Sequence, residues 1–266
     1  MTARFDGRVA VVTGAAAGIG RSIAERFARE GARIVVADVD GAGATEVARG
    51  IGDAAMSLRV DVSVEDEVAA MVALAVERFG TLDIAVNCAA ARASGAITRL
   101  AAADWRRVID VGLTGAFLSI KHEAARMIEQ GRGGAIVNIV SINARQPSEG
   151  GAAYSSMKAG LEMLVRCGAM ELGAHGIRVT GIGPGLVHTP ATSAVFERQP
   201  DLLEAFRRST PLGRFAEPDE IAGVAAFLAS DEASWISGDT LYVDGGALTR
   251  EYPRRFELGI LPGNGS

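Results

Sequence analysis

Tyr154 and Lys158 stand four residues apart in a run, Ala152 to Ala174, that reads as a helix, so both project from one face. Ser141 lies thirteen residues upstream. A phenol beside an ammonium is an unusual pair, because the cation favours phenolate and draws the tyrosine pKa toward neutrality. A base that titrates near neutral pH is what the oxidation of an alcohol requires. Lysine is scarce, Lys121 and Lys158 being the only two among 27 Lys and Arg residues, which sharpens the pairing. Taken alone, the stretch is equally an exposed helical tyrosine and a solvated lysine, so its meaning depends on what the rest of the chain brings to it.

The elements that must position these residues alternate between strand and helix. Arg8 to Thr13 is a short β-branched run bounded by Gly7 and Gly14 and reads as a buried strand. A glycine turn, Gly14-x-x-x-Gly18-Ile19-Gly20, leads into a helix that runs to Glu30 and stops at Gly31. A second strand, Arg33 to Ala37, ends at Asp38. Strand, glycine turn, helix, strand and acid form the unit that binds dinucleotides. The glycines let the backbone approach a pyrophosphate, and the helix N-terminus offers free N–H groups to it. Asp38 is placed to accept hydrogen bonds from the adenosine ribose hydroxyls.

The alternation continues with strands at Met56 to Val62, Leu82 to Asn87, Gly134 to Ser141, Arg178 to Gly183 and Thr240 to Val243. Helices are expected at Val64 to Phe79, at Ala101 to Gln130 as one long helix with an awkward glycine pair (Gly112 and Gly115), and at Glu217 to Ala229. Seven strands alternating with helices predict an α/β fold: one domain, residues 1–249, with a Rossmann-type doubly wound, seven-stranded parallel sheet. Ligands of such sheets bind at the carboxyl ends of the strands, where Asp38, Asp61, Asn87, Ser141 and Pro184 all fall. His188 to Phe215 is irregular and polar, with a short helical patch near Leu202 to Arg208, and is placed to fold over the crevice as a lid. The tail, residues 250–266, mixes Tyr252, Phe256, Leu258, Ile260 and Leu261 with charges, a pattern compatible with disorder or with docking on a neighbouring subunit.

Bulk properties exclude other classes. A net charge of −5 without a basic run argues against nucleic acid or an anionic membrane as partner. Charges interrupt every apolar stretch before transmembrane length, and the N-terminus has no signal-peptide core. Cys88 and Cys167 form no Cys-x-x-Cys pair and His122, His175 and His188 are scattered, so no metal site is expected, and reduced thiols fit a cytoplasmic protein.

Together these pieces resemble the short-chain dehydrogenase/reductase family over about residues 5 to 248. The matching residues are the Thr13-to-Gly20 glycine motif, Asp61-Val62, Asn87-x-Ala89, Ser141, Tyr154-x-x-x-Lys158, Pro184-Gly185 with Thr189, and Val243-Asp244-Gly245-Gly246. The resemblance implies a nicotinamide cofactor bound by Gly14, Gly18, Ile19, Gly20, Asp38, Ala89, Pro184 and Gly185. It implies Tyr154 as general acid/base and Ser141 as the group that bonds the substrate oxygen. Lys158 would hold the nicotinamide ribose, Asn87 would sit beside that ribose, and Asp61 and Val62 would lie beside adenine. Val187 and Thr189 would anchor the carboxamide. It also implies a homotetramer. Asp38 accepts a free 2′-hydroxyl but repels a 2′-phosphate, and Ala17 stands where users of the phosphorylated cofactor often carry Arg or Lys, so NAD is expected over NADP.

Two positions depart from the family pattern. Ala90 replaces a glycine at a strand exit, and Gly112 stands where an asparagine usually holds a water that links the lysine to solvent. For substrate, the polar residues Asn143, Glu149 and His188 suggest a sugar, polyol or other hydroxylated small molecule. The same catalytic set supports reduction of a 3-oxoacyl group or a cyclic ketone. A third reading, resting on Gly112 alone, is a non-catalytic NAD-binding regulator.

Overall fold

The computed structural model describes residues 3–255 and 258–259. Seven parallel strands form one sheet in the order β3-β2-β1-β4-β5-β6-β7: β1 (Val9–Thr13), β2 (Arg33–Asp38), β3 (Ala55–Arg59), β4 (Ile84–Asn87), β5 (Gly134–Ile139), β6 (Ile177–Pro184) and β7 (Thr240–Val243). Every residue of β1 and β4 is buried, as expected of central parallel strands covered on both faces. The strand order reverses between β1 and β4, and a crevice opens at such a point. The register aligns Ala37, Thr13, Asn87, Asn138 and Gly181 across five strands, which fixes one level at the carboxyl edge.

Two apolar layers cover the sheet. One face carries α1 (Gly18–Arg29), α2 (Gly41–Ile51) and α9 (Pro218–Ala229), with Ile23, Phe27, Val47 and Ile221 fully or almost fully buried. The other carries α3 (Glu65–Phe79), α5 (Gly115–Gln130) and α6 (Ala152–Leu172), packed through Met71, Met127 and Val165. Burying each such side chain contributes about 1.5–3 kcal/mol. Sequence chemistry sets the ends of α3: Glu65, Asp66 and Glu67 fill its first turn, favoured by the helix dipole, and Gly80 closes it at a φ of 87°.

Several expectations need correction. The expected helix from Ala101 to Gln130 runs unbroken from Ala102, but a π-helical turn at Asp110–Thr114 divides it into α4 (Ala102–Ile109) and α5. The glycine pair explains this. A Cβ on Gly112 would stand 2.6 Å from Met157 Sδ, and one on Gly115 would stand 2.7 Å from Val62 Cγ2, so the turn packs closer than any side chain allows. A helix that no sequence pattern announces, α2, has Gly41 and Gly43 in its first turn; it forms because the Asp40 carboxylate caps it, accepting from the Gly43 amide at 3.0 Å. The third strand stops at Arg59, which leaves Asp61 and Val62 beyond its end. The segment read as irregular holds two helices, α7 (Pro190–Phe196) and α8 (Pro200–Ser209), each with proline in its first turn. The described part of the tail folds back on its own chain, where Tyr252 packs edge-on against Phe206 with ring centroids 5.0 Å apart. Phe256, Ile260 and Leu261 lie outside the described residues.

Candidate active site

β5 and α6 bring the reactive side chains together. Ser141 follows the end of β5, and its hydroxyl accepts from the Asn143 amide at 3.2 Å, which caps a short turn. Tyr154 lies in the first turn of α6 and Lys158 one turn later, as their spacing predicts. Lys158 is buried, and its Nζ donates to the Ile139 carbonyl at 2.6 Å while standing 5.6 Å from the centroid of the Tyr154 ring. Arg92, on the loop after β4, lays its guanidinium 4.7 Å over the same ring, with Nη2 3.4 Å from the phenol oxygen.

This arrangement sets the tyrosine's acidity. Burial pushes its pKa up, but the Arg92 charge, the Lys158 charge and the Ser141 hydroxyl together hold it below the ordinary tyrosine value. Burial also draws the Lys158 ammonium below its ordinary value, against the pull of Tyr154. From the sequence, the tuning falls to Lys158 alone. A guanidinium on a loop 62 residues before Tyr154 carries no spacing signal.

A cleft of about 470 Å³ opens beside these residues at the reversal point of the sheet. Its floor is the glycine turn. Gly14 and Gly18 have φ of 66° and 56°, and a Cβ on Gly20 would stand 2.1 Å from the Gly14 carbonyl oxygen. No side chain caps the N-terminus of α1, so its amides remain available to a phosphate. Asp38 lines the cleft and holds its carboxylate in place by accepting from the Ala16 and Asp40 amides, each at 2.9 Å. Asp61 and Val62 line it further along, and the Ser63 hydroxyl, 2.6 Å from Asp61 Oδ1, keeps that carboxyl below the usual range. Ile19, Ala89 and Thr189 complete the wall. Backbone where a side chain would block approach, free helix amides and a carboxylate at the far end fit a dinucleotide.

Three of the residues expected at the cofactor make hydrogen bonds within the chain. The Asn87 side chain is buried and turned inward; its Nδ2 donates to Glu123 Oε2 at 3.1 Å and to Asn138 Oδ1 at 3.2 Å. Val187 is buried too, and its carbonyl accepts from the Thr192 hydroxyl at 2.7 Å. The Thr189 hydroxyl caps α7. Pro184 ends β6, and Gly185 after it borders a second cavity.

That second cavity, about 320 Å³, lies on the other side of Arg92 and reaches Ser141 and Tyr154. Asn143 lines it, as expected from sequence, but Glu149 and His188 do not. His188 turns away, with Nδ1 2.9 Å from Glu217 and its ring edge-on to Phe215. Of the polar rim expected from sequence Asn143 remains, with Ser94, Ser148 and Arg255 beside it, and Leu186, Phe196, Leu202 and Phe206 make the rest of the wall apolar, contributed by the segment after β6 and by α7 and α8. The one available signal was Leu202 and Phe206 at i, i+4 on a short helix, together with Tyr252 in the tail.

The space where an asparagine at position 112 would reach is occupied. Met157, fully buried on α6, fills it.

Comparison with known proteins identifies the class that this geometry belongs to. A family profile described as enoyl-(acyl carrier protein) reductase matches residues 14–248. A cis-4-hydroxycyclohexanecarboxylate dehydrogenase of Sinomonas cyclohexanicum is 43% identical, covering 91% of this chain and 97% of its own. Glucose 1-dehydrogenase 2 of Bacillus subtilis is 37% identical over 95% of this chain and 98% of its own. A short-chain type dehydrogenase/reductase from Mycobacterium ulcerans superposes with a TM-score of 0.92 at 32% identity, covering 96% and 94% of the two chains. The chain belongs to the short-chain dehydrogenase/reductase family and is an oxidoreductase of its CH–OH-acting, nicotinamide-dependent type. No helix among the described residues is long and apolar enough to cross a membrane.

Proposed function

We propose that the protein is an NAD-dependent dehydrogenase that interconverts a secondary alcohol and a ketone, with Tyr154 as general acid/base. The observation that carries this is the Tyr154 phenol, held acidic by Arg92 and Lys158 and facing an apolar cavity beside the glycine-floored cleft. In the oxidative direction, Tyr154 takes the hydroxyl proton. Ser141 donates to the same oxygen and steadies the charge that develops on it. Lys158, with Arg92, favours the ionised phenol. A bound nicotinamide supplies the hydride acceptor.

An apolar wall favours a carbocyclic or otherwise apolar-bodied alcohol over a sugar or polyol, because a polyol would leave its hydroxyls unpaired against Phe196 and Phe206. The name of the Sinomonas relative, which acts on a hydroxylated ring, supports this. Asp38 supports NAD over NADP, since a carboxylate facing a 2′-phosphate costs several kcal/mol. Phe117 on α5, Met163 and Met170 on α6 and Leu241 on β7 are exposed in the single chain, which favours a homotetramer that covers them. Unpaired Cys88 and Cys167 agree with a cytoplasmic location.

The test is a panel of cyclohexanols, polyols and 3-oxoacyl thioesters with NAD(H) and NADP(H), read by reduced-nicotinamide absorbance. Cyclohexanols should turn over best, and NAD should exceed NADP in kcat/KM by roughly 100-fold. Equal use of NADP sinks the cofactor assignment. NAD binding with no turnover across the panel favours a regulator.

A further inference from the structure

The substrate cavity carries an unbalanced charge. Arg92 and Arg255 line it, and no aspartate or glutamate does, although the chain as a whole has a net charge of −5. Arg92 is already engaged by the Tyr154 ring and phenol. Arg255 is not comparably engaged. Its Nη1 donates to neutral acceptors only, the Ser94 hydroxyl at 3.2 Å and the Glu149 carbonyl at 3.3 Å, and its buried Nε has no partner among the described residues. No carboxylate pairs with it there either. A buried guanidinium N–H left unbonded is costly, whereas a planar carboxylate meets such a fork with two parallel hydrogen bonds.

The tail is held where this matters. Gln146 Nε2 donates to the Arg250 carbonyl at 2.6 Å, and Tyr252 packs on Phe206. Tyr252 and Arg255 of this tail line the cavity, facing no acid and standing beside a wall rich in Leu and Phe side chains.

We propose that the substrate bears a carboxylate on a compact apolar body, and that Arg255 grips this carboxylate while the carbinol carbon meets Tyr154 and Ser141. This rests on the dehydrogenase reading for where the reacting carbon sits, but the anion site is testable without turnover. Cyclohexanecarboxylate and its neutral near-isostere cyclohexanecarboxamide are titrated calorimetrically into the full-length protein with NADH present. The acid should bind about 30-fold tighter than the amide, the range for a hydrogen-bonded charge pair. Arg255→Leu, with its fold checked by its unfolding midpoint, should reduce that ratio to within about threefold, and Arg255→Lys should restore part of it. Equal affinities in the unaltered protein overturn the proposal, whether or not the Leu variant folds. So does a ratio that survives in Arg255→Leu. Failure of cyclohexanol turnover with NAD is a separate result, which speaks against the dehydrogenase reading and leaves the binding ratio to be judged on its own.

Discussion

Replacing Arg92 by methionine should move the pH dependence of alcohol oxidation, by an amount the geometry sets. The guanidinium is 3.4 Å from the Tyr154 oxygen. Two unit charges at that distance interact by about 5 kcal/mol at an effective dielectric near 20 and by about 1 kcal/mol in water. Arg92 is exposed, so screening places the effect near the lower end, about 1–2 kcal/mol, or roughly one pKa unit. The cation stabilises phenolate, so removing it raises the tyrosine pKa, and less of the base is present at any pH below that value. In Arg92→Met the acid limb of kcat/KM for oxidation should therefore shift upward by about one pH unit. Activity near pH 7 should fall about tenfold, while activity on the alkaline plateau stays within about twofold. Arg92→Lys should recover most of the shift. The assay is NADH formation across a pH series at saturating NAD. A profile that does not move, or that moves downward, refutes the tuning role of Arg92.

Glu123 offers a stability test. Burial pushes its carboxyl up to about 7 from 4.5, opposed only by the Asn87 amide. Between those values the folded chain keeps a proton that the unfolded chain has lost, so stability falls as pH rises through that window. Above it, about 3 kcal/mol has been lost. Glu123→Gln should remove this slope and raise the urea midpoint at alkaline pH; an unchanged slope contradicts the assignment. Gly112→Asn should destabilise the protein by about 1–3 kcal/mol, because the new Cβ meets Met157, and pairing it with Met157→Ala should recover at least half of the loss. A stable single variant with faster turnover would mean that the missing asparagine, and not the tight packing, is what matters at this position.

What the sequence disclosed follows from how local each signal is. The glycine turn, Asp38 and the Tyr154–Lys158 spacing each express a constraint within one turn or one strand-to-helix link, and the structure assembles them at one sheet edge. Asn87 was legible as a strand-end residue, yet its orientation depends on Glu123, 36 positions away and buried on α5. The π-helical turn arises from contact between Gly112 and Met157 on different helices, so no local pattern announces it. The cavity wall was the least legible part. Polar residues near Ser141 invited a polar rim, but Phe196, Phe206 and Tyr252 converge from α7, α8 and the tail to make much of the wall apolar. The notion that Gly112 leaves Lys158 without its route to solvent changes as well, since the vacated space belongs to the Met157 side chain.

The central claim is that Tyr154 moves the proton in an NAD-dependent alcohol oxidation. Its most direct test is Tyr154→Phe, assayed for kcat/KM with NAD and a cyclohexanol and, in parallel, for NAD affinity by fluorescence. Loss of the phenol should lower kcat/KM by at least about 100-fold while NAD affinity stays within about threefold. A variant that retains more than about a tenth of the activity would contradict the account.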